Sequence, residues 1–186
     1  KISEILSGLN LLEISSYTLT NKKDQFAKMG VLEKQEKNFI EVEKSKTDYN
    51  ILRKDLTHYL LKTFSENTDS EYPQRIFETG RVFELNENKI IIEKEVLVGA
   101  IIPGNFTEMK QILLHLFNML GISVILKESE KFPSHFIDGR VAEIFLEREK
   151  IGYLGEIHPK ILKNWKIKMP TALFEIDLEG IYKRLI

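Results

Sequence analysis

The stretch YPQRIFETGRVFEL (Tyr72–Leu85) predicts a long β-strand, because it is rich in β-branched and aromatic side chains. Two arginines and a glutamate, Arg75, Arg81 and Glu78, recur along it. A nucleotide-binding enzyme needs such charges on the sheet of its active site, but an ordinary strand with a charged face carries them too. A turn-like NEN joins this strand to a second predicted strand at about 89–103, so the two form a hairpin.

Helical and strand patterns alternate along the rest of the chain. Helices are predicted at 2–9, at about 49–65, at 105–121 and at 158–165, and Asp48 is the predicted N-cap of the second helix. Further strands are predicted at 11–19, 39–43, 122–126, 140–147, 151–156 and 171–178. The polar stretch 21–38 predicts a loop with a short helical piece. Gly80, inside the first strand, indicates either a β-bulge or a close backbone approach. Hairpins with interspersed helices indicate an α+β fold on a largely antiparallel β-sheet, organised as one domain over residues 1–186.

The composition is that of an ordinary globular chain of 186 residues, 42% of them hydrophobic and 30% charged. The 27 lysines and arginines nearly balance the 28 aspartates and glutamates, so no overall basic field points to nucleic acid. The absence of cysteine excludes disulfides and thiolate zinc sites, and no apolar run approaches the roughly 20 residues of a membrane span. We expect a cytoplasmic protein with no membrane partner. Because Lys1 already lies inside a helical pattern, we expect a fragment of a longer protein.

No familiar sequence motif marks a catalytic, cofactor-binding or metal site. The Walker and dinucleotide-binding glycine patterns, the nucleophile elbow and the zinc-binding HExxH pattern are all missing. We interpret His58 and His115 as helix-surface or interface histidines and His158 as a turn residue, and His135 lies in a loop. The sequence therefore predicts no catalytic, cofactor-binding or metal-binding residue in this chain.

The segment HPKILKNWKIKMP (158–170) is locally basic. Its candidate nucleic-acid contacts are Lys160, Lys163, Trp165, Lys166 and Lys168. Lysines contact phosphates and an indole can stack on a base, which favours a nucleic-acid surface. A solvated helix whose tryptophan packs inward explains the same pattern, and we favour this second interpretation.

Five segments, in order, resemble the C-terminal part of the β subunit of phenylalanyl-tRNA synthetase. They are YNILRKDLTHYLLKTFSEN (49–67), PQRIFETGRVFEL (73–85), FTEMKQILLHLFNMLGI (106–122), DGRVAEIFLEREKIGYLGEIHPKILKNW (138–165) and FEIDL (174–178). The runs GYLGEIHP and FETGRVF carry most of the resemblance, which covers roughly residues 1–180. The chain ends soon after FEIDL, which resembles the archaeal and eukaryotic form of the subunit.

The resemblance implies a domain like those of class II aminoacyl-tRNA synthetases, with an antiparallel sheet flanked by helices, inside an (αβ)₂ heterotetramer. It also implies that the α subunit activates phenylalanine. ATP and magnesium would serve the assembled enzyme, and this domain would hold no cofactor. The expected partner is the α subunit, and the basic segment becomes a candidate tRNA contact.

The arginines of a working class II site are out of place in this chain. In such a site an arginine of an Arg-x-Glu strand holds the α-phosphate, whereas Arg75 and Glu78 are three residues apart and face opposite sides of a regular strand. A glycine-rich strand should lead to another arginine near the end of the domain. The corresponding stretch FEIDLEGIYKRL has one glycine, Gly180, so Arg184 lacks the expected context.

Glu175, Asp177 and Glu179 alternate near the end of the chain and predict a solvated acidic face, which would repel a triphosphate. The leading hypothesis is therefore a non-catalytic structural and interaction domain that supports the catalytic α subunit in the ATP-dependent charging of tRNA with phenylalanine. Two alternatives stay open: an active ATP-binding, adenylate-forming domain, and a tRNA-contacting module. We expect the helices at 2–9 and 49–65 to provide the apolar surface that meets the partner.

Overall fold

A computed structural model describes residues 1–32, 36, 38–128 and 130–185. The long strands are β4 (Gln74–Leu85), β5 (Ile91–Ile102), β7 (Phe136–Leu146), β8 (Glu149–Ile157) and β9 (Ala172–Asp177), and the short ones are β1 (Leu12–Glu13), β2 (Leu19–Thr20), β3 (Ile51–Leu52) and β6 (Ile125–Glu128). The helices are α1 (Ile2–Gly8), α2 (Thr57–Glu66), α3 (Phe106–Leu120), α4 (Pro159–Asn164) and α5 (Glu179–Leu185), with a π-helix at Lys23–Ala27.

One seven-stranded sheet in the order β1-β4-β5-β9-β8-β7-β6 organises these elements, and β2 pairs with β3 in a separate ribbon. Within the described residues, the pair β1–β4 is parallel and the other pairs of the large sheet are antiparallel. The predicted α+β fold on a largely antiparallel sheet is confirmed. No helix in the described part of the chain combines the length and apolarity that crossing a bilayer requires.

The hairpin of β4 and β5 has an uninterrupted register. Its pairing runs from Gln74 opposite Ile102 to Leu85 opposite Ile91 without a shift. β4 therefore has no bulge at Gly80. A side chain at this position would collide with the guanidinium of Arg53, so the glycine marks the close approach of another group.

The sheet separates two apolar cores. Phe77 and Phe174 point to one face, which α1 and α3 cover and which we call the α3 face. Ile76 and Leu173, their neighbours along the strands, point to the opposite face, which α2 and α4 cover and which we call the α2 face. Because successive side chains of a strand alternate in direction, burial of both faces explains why Ala172–Asp177 is apolar at four of its first five positions.

Helix α3 begins and ends where the sequence predicts. The side-chain oxygen of Asn105 accepts a hydrogen bond from the backbone N–H of Glu108 at 2.9 Å. Gly121 adopts φ of 73°, a left-handed conformation that a glycine reaches without a steric penalty. Local signals alone are enough to define this helix.

The prediction of a helix over 49–65 is wrong at its start. The helix begins at Thr57, and Asp48 is not its N-cap. Ile51 and Leu52 form a strand instead, and Arg53 reaches β4. The first N–H groups of α2 donate to Glu175, a partner 118 residues away from Thr57 that a local capping rule cannot find.

Three predicted strands form only in part. The strand predicted at 11–19 is reduced to β1 and the first residue of β2, because Ser16 turns to donate hydrogen bonds to Glu78. The strand predicted at 39–43 contributes a single bridge, Glu41 to Ile51, and the one predicted at 122–126 begins at Ile125. Within the loop predicted at 21–38, positions 33–35 and 37 lie outside the described residues, and the helical piece is the π-helix.

Candidate functional site

A cavity of about 530 Å³ lies on the α2 face, over β4, β5, β8 and β9. Its apolar wall includes the buried side chains of Phe26, Met29, Val82, Val96 and Phe136. Its polar lining includes Asp55, Thr57, His135, Glu175, Asp177 and three lysines. A concave site of this size, with apolar walls and a few convergent polar groups, is the usual form of a small-molecule site. We therefore take this cavity as the candidate functional site.

Glu175 on β9 lines the cavity and also caps α2. Its Oε2 accepts hydrogen bonds from the backbone N–H of Leu56 and from the N–H and hydroxyl of Thr57, each at 3.0 Å. Its Oε1 has no hydrogen-bond partner among the residues that the structure describes. Burial, and then the negative charge of Asp55, raise the pKa of Glu175 to about 8, although the bonds from the helix start act in the opposite direction. Glu175 is therefore mainly protonated at neutral pH.

A chain of hydrogen bonds leads from the cavity wall into the protein. Asp55 Oδ1 lies 3.1 Å from His58 Nδ1, and His58 Nε2 lies 3.0 Å from the hydroxyl oxygen of Thr20. Carboxylate, imidazole and hydroxyl follow one another as in a nucleophilic triad. Thr20 and His58 are both fully buried, so a substrate cannot reach the hydroxyl, and the bonds serve to tie β2 to α2. Of the two predicted positions, helix surface or interface, His58 does not occupy the first: it is buried at the contact between α2 and β2.

The other titratable groups of the cavity respond to burial and to one another. Burial opposes ionisation of Asp55, but the hydrogen bond and charge of His58, with the attraction of His135, outweigh it and lower the pKa of Asp55. Burial lowers the pKa of His135 to about 4, against the attraction of Asp55. At neutral pH the cavity thus presents an ionised Asp55, a protonated Glu175 and a neutral His135. In the described parts of the chain, no three His, Asp or Glu side chains gather as metal ligands.

The lysines of the cavity are already paired within the chain. Lys54 contacts Glu36, Lys94 contacts Glu84, and Lys150 contacts both Glu143 and the hydroxyl of Tyr153. The described lining contains five acidic side chains, Glu36, Asp55, Glu84, Glu175 and Asp177, against three lysines. The surplus charge of the cavity is therefore negative once its carboxyl groups are ionised.

The arginines of the first hairpin strand do not serve the cavity. Arg75 Nη2 lies 2.8 Å from Glu108 Oε1 on the α3 face. Glu78 lies on the α2 face, is buried, and pairs with Arg53 at 2.9 Å. The predicted separation of Arg75 and Glu78 onto opposite faces is confirmed, and the described lining contains no arginine. Arg53, which sequence reasoning did not identify, could only have been found from the close approach that Gly80 signals.

The three carboxylates predicted to share one solvated face have separate surroundings. The solvated-face prediction is wrong for Glu175, because the start of α2 packs over this part of β9. Asp177 accepts a hydrogen bond from the N–H of Glu179 at 2.8 Å. Glu179 lies in α5 and is exposed, and Arg184 of the same helix pairs with Glu147. Only Glu175 and Asp177 of the three line the cavity.

The basic segment 158–168 separates its lysines from its tryptophan. Lys160, Lys163, Lys166 and Lys168 are exposed, and the described residues form no ion pair with them. Three of them, Lys163, Lys166 and Lys168, line a groove of about 700 Å³ together with Arg140. Trp165 packs inward with 2% of its surface exposed, and Lys28 Nζ lies 4.0 Å from its ring centroid. The indole therefore has no free face on which a base could stack.

The segment 12–19, which begins with the edge strand β1, exposes apolar side chains. Leu12 is 67% exposed, Tyr17 80% and Leu19 36%. Tyr17 and Leu19 also line a groove of about 820 Å³. We call α1 together with residues 12–19 the edge surface. Six of the ten residues of α2 are buried within the chain, and Tyr59, Lys62, Thr63 and Glu66 of this helix line the same groove as Tyr17 and Leu19. That the helix at 49–65 provides interface surface therefore stays a prediction.

The sheet, its strand order and its flanking helices define the fold of a class II aminoacyl-tRNA synthetase. The solved structure titled "Structure of Desulfitobacterium hafniense PylSc, a pyrrolysyl tRNA synthetase" matches with a TM-score of 0.76 over 98% of this chain and 64% of that chain. Its sequence is 15% identical, so this likeness shows the fold alone.

The chain belongs to the phenylalanyl tRNA synthetase beta chain CLM domain family, whose model matches residues 1–178. The phenylalanine–tRNA ligase beta subunit of Thermococcus sibiricus is 39% identical over 98% of this chain and 32% of its own length. The corresponding subunit of Pyrococcus furiosus is 37% identical over 98% of this chain and 33% of its own length. That of Archaeoglobus fulgidus is 32% identical over 96% of this chain and 32% of its own length. The chain spans about one third of the length of these curated relatives. The family predicted from the five segments is confirmed.

Proposed function

We propose that this chain is a non-catalytic, class II-like interaction domain that supports the catalytic α subunit of a phenylalanine–tRNA ligase in an (αβ)₂ assembly. The observation that carries the proposal is the use of the strand arginine. In a working class II site this arginine holds the α-phosphate, whereas Arg75 binds Glu108 on the α3 face, away from the cavity. Arg53, on the cavity side of the sheet, is committed to the buried Glu78.

The charge of the cavity supports the same function. A triphosphate there would meet the ionised Asp55, while the three lysines of the lining already have acidic or hydroxyl partners. Each acid within about 6 Å of a phosphate weakens binding by on the order of 1 kcal/mol or more at a partly buried position. ATP and magnesium, in this proposal, serve the assembled cytoplasmic enzyme through the α subunit.

The partner subunit docks, in this proposal, on the edge surface. An edge strand presents unpaired backbone groups, and β1 adds the exposed side chain of Leu12 to them. Tyr17 continues the apolar surface beyond the strand, and aromatic residues are favoured at interface centres. A stable interface buries more than about 1,000 Å² of surface in total. In this proposal α1 and residues 12–19 supply part of that area.

Subunit docking is tested by co-purification of the chain with an α subunit. We expect Leu12→Asp and Tyr17→Asp each to weaken the complex at least tenfold, since a charge placed in an apolar interface loses its water. The matched control is Ile90→Asp, another exposed apolar side chain, which lies at the turn of the β4–β5 hairpin and is 58% exposed. Equal loss from all three variants, or loss from none, would contradict docking at the edge surface.

A tRNA contact is a second candidate function, favoured by the groove that collects Lys163, Lys166, Lys168 and Arg140. We expect the double variant Lys163→Glu and Lys166→Glu to weaken tRNA binding. The slope of log affinity against log salt concentration should fall by the equivalent of roughly one to two phosphate contacts. Lys110→Glu, an exposed lysine on α3, is the control. If the double variant binds tRNA with the salt dependence of the wild type, these lysines do not contact it.

A further inference from the structure

We propose that the cavity on the α2 face binds a small organic cation, an amine with an apolar or aromatic body. The size of the cavity, about 530 Å³, falls within the range of small-molecule sites. The proposal does not depend on subunit docking, because the described lining of this cavity and the groove at the edge surface share no residue.

The body of the ligand would lie against the aromatic and aliphatic wall. Phe136 and Tyr153 lie with ring centroids 6.4 Å apart, and Phe26 contributes a third ring to the lining. Aromatic faces attract cations, and the attraction grows where water is excluded. The wall residues Val82 and Val96 are buried, so an apolar group placed against them loses contact with water.

The charged end of the ligand would meet Glu175 and Asp55. Glu175 Oε2 is fully occupied by the start of α2, but Oε1 is open to an N–H donor from a ligand. The oxygens of Asp55 bond to His58 and Gln25, so Asp55 contributes charge, and Glu175, once it is ionised, contributes the free acceptor. An ammonium group satisfies both requirements, since it donates hydrogen bonds and carries positive charge.

Other ligand classes fit these groups less well. An anion would add negative charge beside two carboxyl groups, and the lysines of the lining are already paired. A divalent metal ion prefers about six oxygen ligands, and no metal-binding group of three acidic or histidine side chains occurs among the described residues. An organic cation uses the apolar wall, the free acceptor and the surplus of carboxyl groups together.

Binding of a cation should be coupled to ionisation of Glu175. The pKa of Glu175 is about 8, so a cation binds more tightly as the pH rises and this carboxyl loses its proton. The other charged groups that face the site are Glu36, Lys54, Asp55, Glu84, Lys94, His135, Lys150 and Asp177, with His58 behind Asp55. The pKa of Asp55 is lowered and that of His135 is about 4, so neither of these two changes its charge near neutral pH.

The test compares two probes of almost equal shape, 2-phenylethylamine and 2-phenylethanol, by calorimetry on the purified chain. We expect the amine to bind at least tenfold more tightly than the alcohol. Its affinity should rise about tenfold from about pH 6.5 to about pH 8.5, the range over which Glu175 ionises and the amine stays protonated.

Glu175→Gln is the decisive variant, because glutamine keeps an acceptor for the start of α2 but cannot ionise. We expect it to abolish the rise of affinity with pH. Glu156→Gln is the matched control: Glu156 also accepts a backbone N–H at a helix start, from Phe106 at 3.0 Å, and it does not line the cavity. Equal binding of the two probes, no binding of either, or the same pH dependence in Glu175→Gln as in the wild type would each overturn the proposal.

Discussion

Replacement of Glu175 by glutamine should stabilise the protein above neutral pH and leave its stability in mild acid almost unchanged. In the folded chain the pKa of Glu175 is about 8, against an ordinary value of 4.5 that applies once the chain unfolds. Between these two values the folded state holds a proton that the unfolded state has released. The free energy of unfolding of the wild type therefore falls as the pH rises from about 4.5 to about 8. Glutamine has no titratable proton, so the free energy of unfolding of the Glu175→Gln variant does not fall in this way.

The size of the effect follows from the two pKa values. At about 1.36 kcal/mol for each pKa unit, the difference between 4.5 and about 8 corresponds to a ceiling of about 5 kcal/mol. Water that enters the cavity would hydrate the ionised carboxylate and reduce this cost. We expect Glu175→Gln to be more stable than the wild type by about 2 to 4 kcal/mol at about pH 8.5, and equal within about 1 kcal/mol at about pH 5.

Urea denaturation at the two pH values measures this difference, provided that the dependence of the unfolding free energy on urea is the same for both proteins. Glu156→Gln serves again as the control, because Glu156 accepts an N–H at a helix start outside the cavity. A wild type that is equally stable at both pH values would refute the reasoning. So would a Glu175→Gln variant that is less stable than the wild type at about pH 8.5, because Glu175 would then act as an ionised cap.

Two further substitutions test the packing around the sheet. Arg53→Met should destabilise the protein by about 3 to 5 kcal/mol in urea denaturation, because it leaves the buried Glu78 without its cation. The control Arg81→Met breaks the exposed pair with Glu93 and should lower the free energy of unfolding by less than about 1 kcal/mol. Asn105→Ala should cost about 1 kcal/mol by the same measurement, since it removes the cap of α3, and an unchanged midpoint would show that this cap contributes nothing.

The features that the sequence predicts well are those with local causes. The β4–β5 hairpin follows from two strand-forming runs and a turn between them, and α3 follows from the N-cap residue Asn105, its apolar face and its terminal glycine. The opposite orientation of Arg75 and Glu78 follows from the period of two along a strand, and the register of β4 preserves it.

The features that the sequence misses depend on partners far away along the chain. The start of α2 is set by Glu175, and the environment of Glu175 is set in turn by α2 and Asp55. The same pairing turns an apparently solvated carboxylate into a partly buried one with a raised pKa. Arg53 was missed because its buried partner, Glu78, lies on another strand 25 residues away. No local pattern encodes these tertiary contacts.

The most direct test of the account is phenylalanine-dependent exchange of pyrophosphate into ATP, measured for the purified chain alone and after addition of the catalytic α subunit. We expect no exchange by the chain alone, no ATP binding to it in the presence of magnesium, and exchange only when the α subunit is present. Exchange by the chain alone, lost when Glu175 is replaced by glutamine, would contradict this expectation and would establish the cavity as an active adenylate-forming site.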